Sequence, residues 1–177
     1  MQLSARQLNR ATLERQLLLQ REPLSAAEGM RRVVALQAQA PASPYLALWN
    51  RLEEFDPAEL DAAFADGQVV KATLIRITLH AVHTDDYADF HNAMLDVLRD
   101  CRLYDRRFTS TGMSVAEVDG LLPRLAEFTA EPRSADEIES MLESELGETK
   151  KGLWWAMRTF AAVHRLPTGG PWSFDRA

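Results

Sequence analysis

Gln37 and Gln39, with Ala38 between them, are the residues whose types and spacing most invite chemistry. Each amide offers an acceptor oxygen and a two-proton donor. A pair of them can hold one water, or grip the edge of a base or sugar. Residues two apart point about 200° apart on a helix but to one side of an extended segment. Met30, Val33, Val34 and Gln37 fall at helical spacing, i, i+3, i+4, i+7. The amides therefore cooperate only if that helix ends near Ala38. Ala40-Pro41 favours such a stop, because the residue before a proline is pushed out of helical geometry. The other use is structural: amides at a helix end satisfy loose backbone groups. Spacing alone favours this second use.

Other constellations carry less. His80 and His83 are three apart near a predicted strand and so face opposite sides of it, while His91 falls on a helix. No Glu-x-x-His and no cysteine partner accompanies them at metal-site spacing. No metal and no cofactor are expected, and His80 reads as a polar residue hydrogen-bonding near a bound strand. Ser110 and Ser114 lie in a loop and a cap, without a Gly-x-Ser-x-Gly turn. Gly169-Gly170 is followed by neither a lysine nor a helix start, so it is not a phosphate loop. Asp85-Asp86 reads as a pair of first-turn charges favouring a helix macrodipole.

The elements that must hold the amides begin with two capping boxes, Ser4 with Gln7 and Ser25 with Glu28. The first opens a helix to about Gln20, ended by Glu22-Pro23. The second opens the helix that carries Gln37. Ser43-Pro44 and Asp56-Pro57 start helices near 44–52 and 57–66. The β-branched runs Val69–Leu74 and Ile75–Val82 predict short strands. Thr84-Asp85-Asp86 opens a long helix to about Arg102, and residues 106–112 read as a connection. Capping boxes at Ser114/Glu117 and Ser134/Glu137 open two further helices, with Pro123 kinking or dividing the first and Gly147 closing the second. A last helix is predicted over 149–163. Residues 164–174 then read as strand, Gly-rich turn and returning strand. Helices followed by a small ribbon, twice over, predict a mainly α fold with small β-hairpins. That is a tandem winged helix, the helix-turn-helix variant, with modules at 1–108 and 109–177.

Composition sets outer limits. At 46% apolar and 26% charged residues, a chain of 177 is an ordinary folded one. Its longest apolar runs are too short to cross a bilayer, and its start lacks the apolar core of a signal peptide. The single Cys101 rules out an internal disulfide. A cytoplasmic location is expected. Net charge is −6, which argues mildly against a nucleic-acid partner, but charge is unevenly spread. Residues 1–37 carry six Arg against three Glu, and residues 114–148 carry ten acids against two Arg. Lys150, Lys151, Arg158 and Arg165 make the last helix and its wing basic, suited either to phosphate contact or to decoration of a helix start.

In order along the chain, Leu36-Gln37-Ala38-Gln39-Ala40-Pro41, Leu48-Trp49-x-Arg51-Leu52, Phe55-Asp56-Pro57-Ala58-Glu59-Leu60, Arg76-x-Thr78-Leu79-His80 and Val163-His164-Arg165-Leu166-Pro167-x-Gly169-Gly170-Pro171-Trp172 form a recognisable set. It resembles the bacterial winged-helix DNA-binding-domain proteins related to the YcaQ/AlkZ-type crosslink-repair DNA glycosylases. The resemblance implies tandem winged helices around double-stranded DNA and hydrolysis of the N-glycosidic bond of alkylated or crosslinked purines. It makes Gln37 and Gln39 the catalytic Gln-x-Gln pair that positions the attacking water. Arg76, Thr78, His80, Lys150, Lys151 and Arg158 are the expected DNA contacts. Two departures stand out. The chain is about half the family's length, so the N-terminal half of a longer protein is expected, ending in or after the second wing. Ile77 also replaces a glycine often found between Arg76 and Thr78. A non-catalytic DNA-binding or regulatory module, or an inactive fragment, is the alternative.

Overall fold

In a computed structural model, the described residues run from Leu3 to Phe174. Residues 175–177, the end of the expected second module, lie outside them. The chain is mainly helical with one small sheet, and it divides into two compact units. The first takes the described residues up to Ala72, then Thr78–Asp89, and those from Arg165 on; the second takes Thr73–Ile77 and Phe90–His164. This differs from a division at 108/109. The chain crosses to the second core earlier, and its last described segment returns to the first.

The first unit opens with α1 (Ala5–Arg15) and α2 (Ala26–Arg32), each begun by the capping box that its Ser and its Gln or Glu predict. Helix α2 ends five residues before Gln37, not near Ala38. Val33 caps it, and Val34 then turns into the left-handed region (φ 78°). The helical spacing of Val33, Val34 and Gln37 therefore misleads, and the chain continues as a strand, β1 (Leu36–Gln37). Helix α3 (Ser43–Trp49) is capped at Ala42 rather than Ser43, with Pro44 in its first turn. Helix α4 (Pro57–Ala65) has Asp56 as its cap, accepting from the Ala58 N–H. Strands β2 (Val69–Thr73) and β3 (Leu79–His83) follow, and the sheet runs in the order β1-β3-β2 with β1 and β3 antiparallel. Met30, Leu48, Leu52, Leu60, Val69 and Ala81 make the centre of this core.

Residues 164–174 form no hairpin. Arg165 makes a single antiparallel bridge to Lys71 in β2, and the segment closes in a 3-10 turn, Pro171–Ser173. Phe174 stands edge-on to Phe64 at 4.9 Å. The Tyr45 and Ser173 hydroxyls both meet Asp61 Oδ1. Burial first, and then the Asp61 carboxylate, push the Tyr45 hydroxyl pKa upward. Trp172 and Ser173 both take left-handed φ near 59°, a strain that those contacts hold in place.

The second unit is helical. After Asp89, α5 (Thr84–Leu103) continues into it, followed by α6 (Arg106–Thr109), α7 (Val115–Phe128), α8 (Ala135–Leu146) and α9 (Leu153–Phe160). Residues 106–112 thus hold a short helix, capped by Asp105, rather than a plain connection. Helix α7 passes through Pro123 as one element, and Gly147 closes α8. Leu98, Phe108, Val118, Leu125, Ile138, Leu142 and Met157 build its core. The Arg102 and Arg107 guanidinium carbons lie 4.3 and 3.6 Å from the Trp155 ring centroid. His91 is buried, and its Nε2–H donates to the Phe160 carbonyl at 3.0 Å.

Helix α9 starts four residues later than the sequence suggests because Gly152 is its cap, at φ 94°. A Cβ there would lie 2.6 Å from the Arg107 carbonyl oxygen. Backbone cannot yield as a side-chain tip can, so Gly152→Ala is expected to lower unfolding free energy by about 2–3 kcal/mol, read by denaturant titration. Lys71 carries the opposite expectation. It is 1% exposed, its Nζ sits 4.4 Å from the Phe174 ring centroid, and burial, with Arg165 nearby, brings its pKa down to about 8. The folded state thus holds fewer protons than the unfolded chain between about pH 8 and the ordinary lysine value near ~10.4. Lys71→Met is expected to stabilise at pH 7 by about 1–2 kcal/mol, and urea titrations should find the gain shrinking as pH rises through that window.

Candidate active site

The amide pair sits where the chain leaves α2 and joins the sheet. Leu36 pairs with Ala81 and Gln37 with His80. The Ala38 N–H donates to the Leu79 carbonyl at 2.7 Å, carrying the ladder one residue past β1. Exposure alternates along this stretch: Leu36 and Ala38 are buried at 7% and 1%, while Gln37 and Gln39 are exposed. An extended backbone sends alternate side chains to opposite faces. Both amides therefore leave from the open side while Leu36 and Ala38 enter the core. The extended geometry that cooperation requires is reached by strand pairing and not by a helix stop at Pro41.

The two amides differ in their surroundings. Gln39 Oε1 accepts from the Leu79 N–H at 3.4 Å, which leaves its NH2 group outward. The Gln37 amide makes no hydrogen bond within the protein among the described residues. His80, opposite Gln37, is half-buried, and its imidazole Nδ1 lies 3.0 Å from the Thr78 carbonyl oxygen. Thr78, also half-buried, precedes β3. The first unit thus gathers Gln37, Gln39, Thr78 and His80 along one strand pair. No group of three His, Cys, Asp or Glu side chains suited to a metal occurs among the described residues.

Arg76 belongs to the second unit, in the 3-10 turn Ile75–Ile77, and is exposed. It and Ile77 take left-handed φ of 56° and 60°. Glycine adopts that backbone without steric cost. A β-branched residue pays about 1–2 kcal/mol there, and Ile77 offsets it by packing against the second core. Lys150 and Lys151 precede α9 rather than lying within it: Lys150 is 3.0 Å from Glu148, and Lys151 is exposed. Arg158 is exposed on α9.

The family model described as DNA glycosylase AlkZ-like matches residues 30–177, most of the chain. The chain belongs to the AlkZ-like DNA glycosylase family. Among solved structures it is similar to the Streptomyces sahachiroi DNA glycosylase AlkZ, with a TM-score of 0.81 and 21% identity over 97% of this chain and 48% of that one. At that identity the likeness speaks for the fold. This chain spans about half the length of the Streptomyces protein. No curated protein matches it.

Within this AlkZ-like chain, sequence reasoning missed the register between Gln37 and His80, the occupied oxygen of Gln39, and the Tyr45–Asp61–Ser173 cluster. Each needs at least one partner forty or more residues away: His80 for Gln37, Leu79 for Gln39, and Ser173 for Asp61. No helix among the described residues is long and apolar enough to cross a membrane. Since the amide face rests on the hydrogen bond from Ala38 to Leu79, Ala38→Pro removes its donor and crowds a buried site. A loss of about 1–3 kcal/mol is expected, measurable as a lowered thermal midpoint.

Proposed function

We propose that this chain is a DNA glycosylase acting on double-stranded DNA, and that Gln37 and Gln39 orient the water that hydrolyses the N-glycosidic bond of an alkylated or crosslinked purine. The observation that carries the reading is the exposed, extended Gln37-Ala38-Gln39 stretch, with both amides on the open side of β1, in a chain of the AlkZ-like family. An N7-alkylated purine is already cationic and a good leaving group. Little acid help is needed at the base, and orientation of the nucleophile supplies much of the rate. A neutral amide pair suits such a substrate and would serve an unactivated one poorly.

In the first unit, the order α2, β1, α3, α4, β2, β3 supports a winged-helix module, three helices sharing a core with a small ribbon. The α7–α9 succession supports a second helix-turn-helix module. Arg76, Thr78, His80, Lys150, Lys151 and Arg158 are the proposed DNA contacts, the cations for phosphate and the strand residues for the backbone near the lesion. A binding module without catalysis is the second reading, favoured by the engagement of Gln39 Oε1 by the Leu79 N–H, which gives that amide a structural use.

Release of base from a duplex bearing a single N7-methylguanine tests the first reading. Gln37→Ala and Gln39→Ala are each expected to lower the rate by about 10²-fold or more, while duplex affinity stays within about twofold. Activity that survives both substitutions overturns the catalytic assignment. A salt titration of duplex binding by wild-type protein separates the second reading: affinity falling steeply with salt, without base release, supports binding alone.

A further inference from the structure

The register places His80 directly opposite Gln37, so the two side chains stand on one face of the strand pair, with Cβ atoms about 5 Å apart. A carbonyl oxygen only accepts, so the contact between His80 Nδ1 and Thr78 O puts the proton on Nδ1. In the neutral ring, Nε2 then carries a lone pair and no hydrogen. Among the described residues, Nε2 has no protein partner.

The amides on the same face are already sorted. Gln39 Oε1 is engaged by the Leu79 N–H, so this residue offers donors. Gln37 offers an open acceptor oxygen. A water that attacks carbon has four directions to fill: two protons to give, one lone pair to receive a donor, and one lone pair for the carbon. Gln37 Oε1 and His80 Nε2 take the protons, and the Gln39 NH2 group donates to the first lone pair.

We infer that His80 Nε2 is the proton acceptor for the water held by Gln37 and Gln39, an inference that rests on the glycosylase reading above. The water oxygen bonds to C1′ as the C1′–N9 bond breaks. The electron pair of that bond returns to the purine and discharges its N7-alkyl cation. One water proton passes to Nε2, and solvent later removes it. The products are a neutral alkylpurine, a 1′-hydroxyl deoxyribose and a released proton. Imidazole is a far stronger base than an amide and supplies what the glutamine pair lacks. The resulting imidazolium remains tied to the Thr78 carbonyl through Nδ1–H.

Charged groups on the elements around β3 are mostly engaged elsewhere. Lys71 on β2 lies over Phe174. On α2, Glu28 closes the Ser25 cap and Arg31 pairs with Asp85 and Asp86, leaving exposed Arg32. His83, on β3 itself, lies 3.7 Å from Asp85 and serves as the comparison histidine.

The test follows base release from the N7-methylguanine duplex between about pH 5 and 9 for the wild type, His80→Gln and His83→Gln. Wild type and His83→Gln are expected to show kcat rising with pH to a plateau. His80→Gln should be flat and about 10²-fold slower at the plateau, with KM changed less than about threefold. A His80→Gln profile that keeps the rising limb overturns the inference, and if Gln37→Ala is still inactive the amide reading stands alone. A wild type that releases no base at any pH overturns both. Independently of activity, long-range nitrogen–proton spectra of the full chain should report the Nδ1–H tautomer for His80, and an Nε2–H tautomer overturns the assignment.

Discussion

Everything in the candidate site depends on two residues of strand, Leu36 and Gln37, being paired to β3. The pairing is small: register contacts at Leu36–Ala81 and Gln37–His80, plus the Ala38 N–H on the Leu79 carbonyl. It nevertheless decides which way four consecutive side chains point. A slip of one residue would send Gln37 and Gln39 into the core and bring Leu36 and Ala38 out. Burial of Leu36 and Ala38 in a core with Met30, Leu48 and Ala81 penalises that slip. The apolar partners thus set the direction of the polar ones.

The surroundings of that pairing fix its position at both ends. Upstream, α2 stops at Arg32, and Val34 takes a left-handed turn. Arg31 in the last turn of α2 reaches Asp85 and Asp86 at the start of α5, just past β3. These ion pairs are exposed and worth little as stability. Downstream, α3 begins at Ser43, directly after the amides and Pro41. The short strand is therefore held between two helix ends, a more rigid support for side-chain geometry than a free loop.

Local chemistry was legible in the sequence, and long-range pairing was not. Ser4/Gln7, Ser25/Glu28, Ser114/Glu117 and Ser134/Glu137 all close as capping boxes, because both partners lie within one turn. Asp56-Pro57 and Gly147 mark helix ends for the same reason. The strand character of Leu36–Gln37 comes from β3, more than forty residues on, and the helical period of the preceding apolar residues points the other way. Residues 164–174 look like a wing in isolation, yet their partners are Lys71, Asp61 and Phe64. For the candidate site, the identity of the amides could be read directly. The neighbour across from Gln37 could not, since nothing local sets the register of β3.

The return of the last described segment to the first core has a consequence for how the molecule comes to fold. Phe174 on Phe64, Ser173 on Asp61 and Arg165 on Lys71 join residues about a hundred positions apart. The stretch Phe90–His164 between them closes a core of its own. Contacts so distant in sequence carry a large loop-closure cost until the intervening chain is compact. During synthesis the inner stretch emerges whole before its outer neighbour can be completed. The nested unit is then the one positioned to fold early and shorten the loop, and the core that supports the amides is sealed last.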